Sequence, residues 1–195
     1  DKQTGQKFGK SEAGAIWLDW AKTSPTQFYQ FWINVGDADV ESYLKIFTFM
    51  PKAKIEQVMI EHKTDPGKRV AQKSLAEEVT KLVHDEASGS SATGVSKYLT
   101  SQAPIADATN EDIKIIKSEI PSTTSRDVGS IIDAVVKTGL IPSNSMARTV
   151  LVNGGIYING EQVKRDIFEP NDFKNGRLLL RRGKAYKDSV LVELE

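Results

Sequence analysis

The chain has 195 residues, with 26 basic side chains balanced by 26 acidic ones, 39% apolar residues and no cysteine. Such a chain can bury one large or two small cores, and its zero net charge supplies no global field to attract nucleic acid or membrane, so any contact with a polyanion must come from local clustering. The missing cysteines exclude disulfides and thiolate chemistry, the only histidines, His62 and His84, stand far apart without ligand-like neighbours, so no metal site is expected, and no apolar run approaches the ~20 residues of a membrane span.

The first motif is Lys7-Phe8-Gly9-Lys10-Ser11. Two ammonium groups around a glycine suggest a phosphate cradle, and Gly5 even sits at the Walker spacing before Gly9. A phosphate-binding loop of that kind follows a buried strand, however, and the residues before it, DKQTGQ, are polar. The ordinary P-loop reading therefore fails. The polar start without an initiator Met reads as the inside of a longer protein.

From Ser24 to about Lys117 the signals are helical. Ser24 followed by Pro25 marks a helix start, with Gly36 as its stop, and Asp37 opens a second helix with Val40, Leu44 and Phe47 on one face. PKAKIEQVMIEHK repeats the pattern with Ile55, Val58, Met59 and His62. The longest amphipathic stretch runs through PGKRVAQKSLAEEVTKLVHDEA, with Leu75, Val79, Leu82 and Val83 as its stripe. Weaker helices are expected over Thr93–Leu99 and, capped by Asn110, up to Lys117. The aromatic run Phe28, Tyr29, Phe31, Trp32 has helical spacing and reads as core rather than as a base-stacking platform.

SEIPSTTSRD, residues 118–127, is polar, contains Pro121 and reads as a linker. Beyond it come a helix ending at Gly139, a second helix capped by Ser143 and terminated at Gly154 or Gly155, and an alternating IYINGEQV around Asn159-Gly160, a strong hairpin signal. RLLLRRGKAYKDSVLVEL supplies two further strands turning near Arg182-Gly183-Lys184. The expected fold is a mainly helical domain over residues 23–117, a linker at 118–126 and a small α+β domain over 127–195, preceded by a loop and connection at 1–22. A compact helix-helix-hairpin can present a helix and a β-edge to RNA, and Arg148, Lys164, Arg165, Arg181 and Arg182 are its candidate phosphate contacts. Lys68, Arg69 and Lys73 cluster near one helix start in the helical part. The small domain holds nearly as many acids as bases, so a surface of ordinary solvated charges is the competing interpretation.

In order along the chain, KFGKS, SPTQFYQFW, DADVESYLKIFTF, AQKSLAEEVTKLVH, SNSMARTVLVNGGIYINGEQV and LLLRRGKAY resemble the bacterial and mitochondrial tyrosyl-tRNA synthetases, a class I aminoacyl-tRNA synthetase family, from just after their catalytic domain. The resemblance implies an anticodon-binding helical domain and a small RNA-binding domain like ribosomal small-subunit protein four, with the Rossmann catalytic domain upstream and absent. It implies that Lys7 and Lys10, in the family's KMSKS position, stabilise negative charge on the pyrophosphate leaving ATP, with Gly9 and Ser11 shaping the loop that meets ATP. ATP with its Mg2+ would be the substrate, none held by this part alone, and the part alone would be inactive. The partners implied are tRNA(Tyr) and a second copy of the full enzyme, through the missing catalytic domain, in the cytoplasm, or the mitochondrial matrix of a eukaryote. Where the family has basic residues before the Ala-Arg of its second small-domain helix, this chain has Asn144-Ser145-Met146, leaving Arg148. The alternative function is a freestanding RNA-binding module of a splicing or ribosome-associated factor.

Overall fold

The computed structural model describes residues 16–183 and 185–195, so the loop at 7–11 and Lys184 lie outside the described residues. The chain forms two compact units that divide between Ser96 and Lys97.

The first unit is helical. Helix α1 (Pro25–Ile33) begins where the Ser24 hydroxyl accepts the Gln27 amide at 3.1 Å, a cap that satisfies one of the orphan donors of a helix start. Gly36, expected to stop α1, instead caps α2 (Asp37–Phe47). Helix α3 (Lys52–Thr64) follows, and Arg69, at φ 54°, sets the sharp entry to α4 (Val70–His84). Helix α4 packs against α1, α2 and α3, and the two alanines flanking Leu75, Ala71 and Ala76, are fully buried and let neighbouring backbones approach. Phe28, Tyr29 and Trp32 are buried in this core, as their spacing implied, whereas Leu82 points to solvent despite its place in the expected stripe.

Helix α5 (Glu86–Leu99) starts seven residues earlier than expected, because Asp85 Oδ1 accepts the Ser88 amide at 2.7 Å and tertiary packing overrides the weak propensity of its Gly and Ser residues. A β-carbon on Gly89 would lie 2.4 Å from Lys81 Cγ, so only glycine permits this approach to α4. Lys81 then bridges the corner, 2.9 Å from Glu77 and 2.8 Å from Glu86, and these bonds raise its pKa.

The second unit begins at the end of α5. Helix α6 (Asn110–Glu119) is capped by Thr109 rather than Asn110: the Thr109 hydroxyl accepts the Asp112 amide at 3.2 Å and Asp112 Oδ2 accepts the Thr109 amide at 2.9 Å. The stretch 118–126, read above as a linker, carries strand β1 (Ser122–Ser125), and the unit boundary at Ser96 places α6 with the sheet rather than with the helical unit. An edge strand that alternates exposed and half-buried positions needs no apolar residues, which is why STTS looked like a linker.

Helices α7 (Ile131–Lys137) and α8 (Asn144–Val152) start at Ser130 and Ser143, whose hydroxyls accept the Asp133 and Met146 amides. Strands β2 (Ile156–Ile158) and β3 (Glu161–Val163) are joined by Asn159 and Gly160 at φ 50° and 91°, the left-handed pair that matches the twist of a hairpin. Strands β4 (Arg177–Arg182) and β5 (Ser189–Leu194) complete a mixed sheet of order β1-β5-β4-β2-β3, with β1 parallel to β5 and the other pairings antiparallel. Residues of α7 and α8 form one core with Ile156, Ile158, Leu178, Leu180, Val190 and Val192 of the sheet.

His84 closes α4 with its ring edge-on to Phe28, centroids 4.9 Å apart, and burial lowers its pKa, with the Asp85 charge opposing. Because the unfolded chain then binds the proton more tightly, the contribution of neutral His84 to stability is complete above about pH 6.5 and is lost as pH falls through that value toward the lower folded pKa. Thermal unfolding followed between about pH 8 and about pH 5 should show this loss, and His84→Gln should flatten the profile. Identical profiles for the two proteins would refute the assignment.

Candidate nucleic-acid interface

The candidate contacts in the helical unit divide by what already holds them. Lys68 is exposed, its ammonium 3.6 Å from Asp65. Lys73 is half-buried on α4. Arg69 is committed to the fold: its Nη2 donates to the carbonyl of Ile33 at 2.6 Å and to that of Val35 at 3.4 Å, serving carbonyls left free where α1 ends. Beside it Gln72 donates to Asp37 Oδ1 at 2.5 Å, and His62 Nε2 lies 3.2 Å from the same oxygen, so the start of α2 is tied to α3 and α4.

In the second unit the peptide N–H of Gly183 donates to the carbonyl of Gly155 at 2.9 Å, and Ile156 pairs with Arg182 in the ladder. Residues 26 and 28 positions apart, in the loop after α8 and at the end of β4, are thereby brought together. Arg148 lies on the exposed side of α8, a helix with no acidic residue, and makes no side-chain ion pair or hydrogen bond among the described residues. Lys164 is exposed just past β3.

The other three arginines differ sharply. Arg165 is clasped by Asp172 and, at 3.1 Å, by Glu169, so it braces the 165–172 loop. Arg182 Nη2 lies 3.0 Å from Asp188 Oδ1 and ties down the β4–β5 turn. Arg181 has no carboxylate; its guanidinium lies over the Tyr157 ring, 5.9 Å from the centroid. Sequence reasoning passed over Tyr157, although its outward position in the alternation of IYINGEQV was a signal for it. Nearby, burial and then the Glu119 charge push the Tyr186 hydroxyl up to about 12, so it stays protonated through neutral pH.

A cleft of about 680 Å³ opens between residues 101–105 and the β2–β3 hairpin. Its wall carries Glu161, Glu169 and Asp172 against Arg165 and Lys174, so its charge disfavours phosphate. Among the described residues no group of three or more His, Asp or Glu is placed to hold a metal ion, and no helix is long and apolar enough to cross a membrane.

Residues 1–99 match the family model of tRNA synthetases class I (W and Y), just over half of the chain. The chain belongs to this family. Residues 112–188 match the tyrosine–tRNA ligase SYY-like C-terminal domain. Tyrosine–tRNA ligase 1 of Bacillus subtilis is 44% identical over 188 residues, covering 94% of this chain and 44% of the relative. Tyrosine–tRNA ligase 2 of Bacillus cereus is 41% identical over 197 aligned positions, covering 99% of this chain and 46% of the relative. A C-terminally truncated mitochondrial tyrosyl-tRNA synthetase of Aspergillus nidulans is 41% identical over 44% of this chain and 25% of its own, with a TM-score of 0.43. The chain thus resembles the C-terminal region of tyrosyl-tRNA synthetases and spans less than half the length of these Bacillus relatives.

Because Arg69 in this synthetase region is held by backbone carbonyls, Arg69→Ala should lower the unfolding free energy by about 1–2 kcal/mol in urea titrations. An unchanged midpoint would show that these bonds contribute nothing.

Proposed function

We propose that the chain is the tRNA-binding part of a tyrosine–tRNA ligase, an enzyme that activates tyrosine with ATP and transfers it to tRNA(Tyr) for protein synthesis. What supports this most directly is the ordered pair of family matches, the class I synthetase over 1–99 and the tyrosine-specific C-terminal domain over 112–188. The helical unit is the reader of the anticodon arm. The α+β unit, of the type shared with ribosomal small-subunit protein four, is a second grip on the same RNA.

Lys7 and Lys10, with Gly9 and Ser11, form the loop that meets ATP and its Mg2+ in the complete enzyme. There the two ammonium groups lower the barrier by neutralising charge that builds on the departing pyrophosphate. The complete enzyme works as a homodimer in the cytoplasm, or in the mitochondrial matrix of a eukaryote, and the 195-residue chain alone neither activates tyrosine nor charges tRNA. The freestanding RNA-binding module is not favoured, since the relatives above are named as ligases.

Among the RNA contacts, Arg148, Lys164 and Arg181 are available to phosphate, and Lys68 and Lys73 lie along one helix start. Arg69, Arg165 and Arg182 already have partners, and their role is to fix the shape of the surface. The chain should bind tRNA(Tyr) more tightly than a noncognate tRNA at moderate salt, measured by filter binding. Binding that is equal for both RNAs and erased by salt would refute cognate recognition by these two units.

A further inference from the structure

Strand β4 leaves the core with an arginine on each face. Alternation puts Arg182 on the side of Leu178 and Leu180, and Arg181 on the side of Arg177 and Leu179. Of the three arginines on β4 and Arg165 beyond β3, three are neutralised: Arg177 by Glu193 at 3.6 Å, Arg182 by Asp188 at 3.0 Å, and Arg165 by Glu169 and Asp172. Arg181 is not. Among the described residues its side chain forms neither an ion pair nor a hydrogen bond, and its guanidinium lies over the Tyr157 ring.

The ladder explains why. Tyr157 pairs with Gln162 on one side and Arg181 on the other, and Arg181 pairs with Ser189. The row Gln162–Tyr157–Arg181–Ser189 crosses four strands without an acid. Within it Arg181 Nε and the fully buried Ser189 hydroxyl have no hydrogen-bond partner among the described residues, while Arg181 as a whole is only half-buried. Two uncommitted donors therefore sit side by side on a row with no carboxylate to answer them.

We propose that Arg181, its guanidinium over the Tyr157 ring, is the seat of one RNA backbone phosphate, and that Tyr157 is the residue that positions it. This rests on the RNA-binding reading above and gives it a specific contact. A guanidinium over a ring face can still offer its two terminal nitrogens as a planar fork matched to two phosphate oxygens. The cation–π contact favours this placement before RNA arrives, so less rotamer freedom is lost on binding. At the end of β4 the Gly183 N–H donates to the Gly155 carbonyl, and the loop at Gly155 follows α8, which carries Arg148 and no carboxylate. The acid-lined cleft beyond the β2–β3 hairpin offers no comparable site.

The test is filter binding of tRNA(Tyr) to the full 195-residue chain across a sodium chloride series. Wild type, Arg181→Gln, Arg181→Lys, Tyr157→Ala, Tyr157→Phe and Arg182→Gln would be compared, with unfolding midpoints recorded for each. One phosphate contact contributes about one unit to the slope of log K against log salt. Arg181→Gln should lower the slope by about one, Tyr157→Ala should lower it partly, and Tyr157→Phe should restore it, since the ring and not the hydroxyl does the positioning. Arg181→Lys should keep the charge but lose affinity, and Arg182→Gln should move the unfolding midpoint and leave the slope alone. An unchanged slope in Arg181→Gln, with wild type binding normally, would overturn the assignment. Absence of wild-type binding even at the lowest salt would overturn the RNA-binding reading itself. Chemical-shift titration of wild type with inorganic phosphate separates the sources: saturation at Arg181 by phosphate as tightly as by RNA would assign the seat to the free ion instead.

Discussion

Burial of β4 on both faces governs the second unit. Leu178, Leu179 and Leu180 are consecutive, so they point alternately to opposite sides of the sheet, yet all three are shielded from water. Helices α7 and α8 cover one side. On the other, Leu191 of β5 is equally buried and the short turn Ile105–Asp107 packs on β4. A strand with a core on either face cannot slip by one residue without exposing leucine, so its register is fixed firmly. That fixed register is what gives the two arginines at its end distinct fates, one turned to Asp188 and the other to Tyr157.

The helical unit solves a different problem with α4. Its alanines admit the other helices closely, and its two ends are pinned by charge: Arg69 at the start on the carbonyls of Ile33 and Val35, Lys81 near the end between Glu77 and Glu86. The first clamp satisfies carbonyls that helix geometry leaves open, and the second joins two carboxylates across the α4–α5 corner. Basic residues near one helix start, which suggested an RNA patch, are therefore partly scaffold.

Much of the local structure was legible in the sequence. Ser24 and Ser143 sit at true helix starts, Asn159-Gly160 is a hairpin, and the aromatics at helical spacing are core, because each of these depends on short-range chemistry. What escaped depends on distant partners. Strand β1 pairs with β5, each residue 69 positions from its partner, α5 is held by contacts that reach back to Lys81 and Gln30, and Leu82 turns outward since nothing packs over it. At the candidate interface the composition showed arginines but not which were neutralised, since a carboxylate partner such as Asp172 or Asp188 is set by loop geometry.

The sheet order has a consequence for the timing of assembly. Strand β5, the last of this sheet in sequence order, lies between β1 and β4, and among the described residues β1 has no other strand to pair with. The parallel β1–β5 pairing closes a long loop, and long-range pairings of this kind are slow to form. During synthesis the unit therefore stays open until its final residues have emerged, leaving Leu179 and the edge of β4 uncovered. A nick that removed only the last strand would undo the interior of the sheet rather than trim its rim.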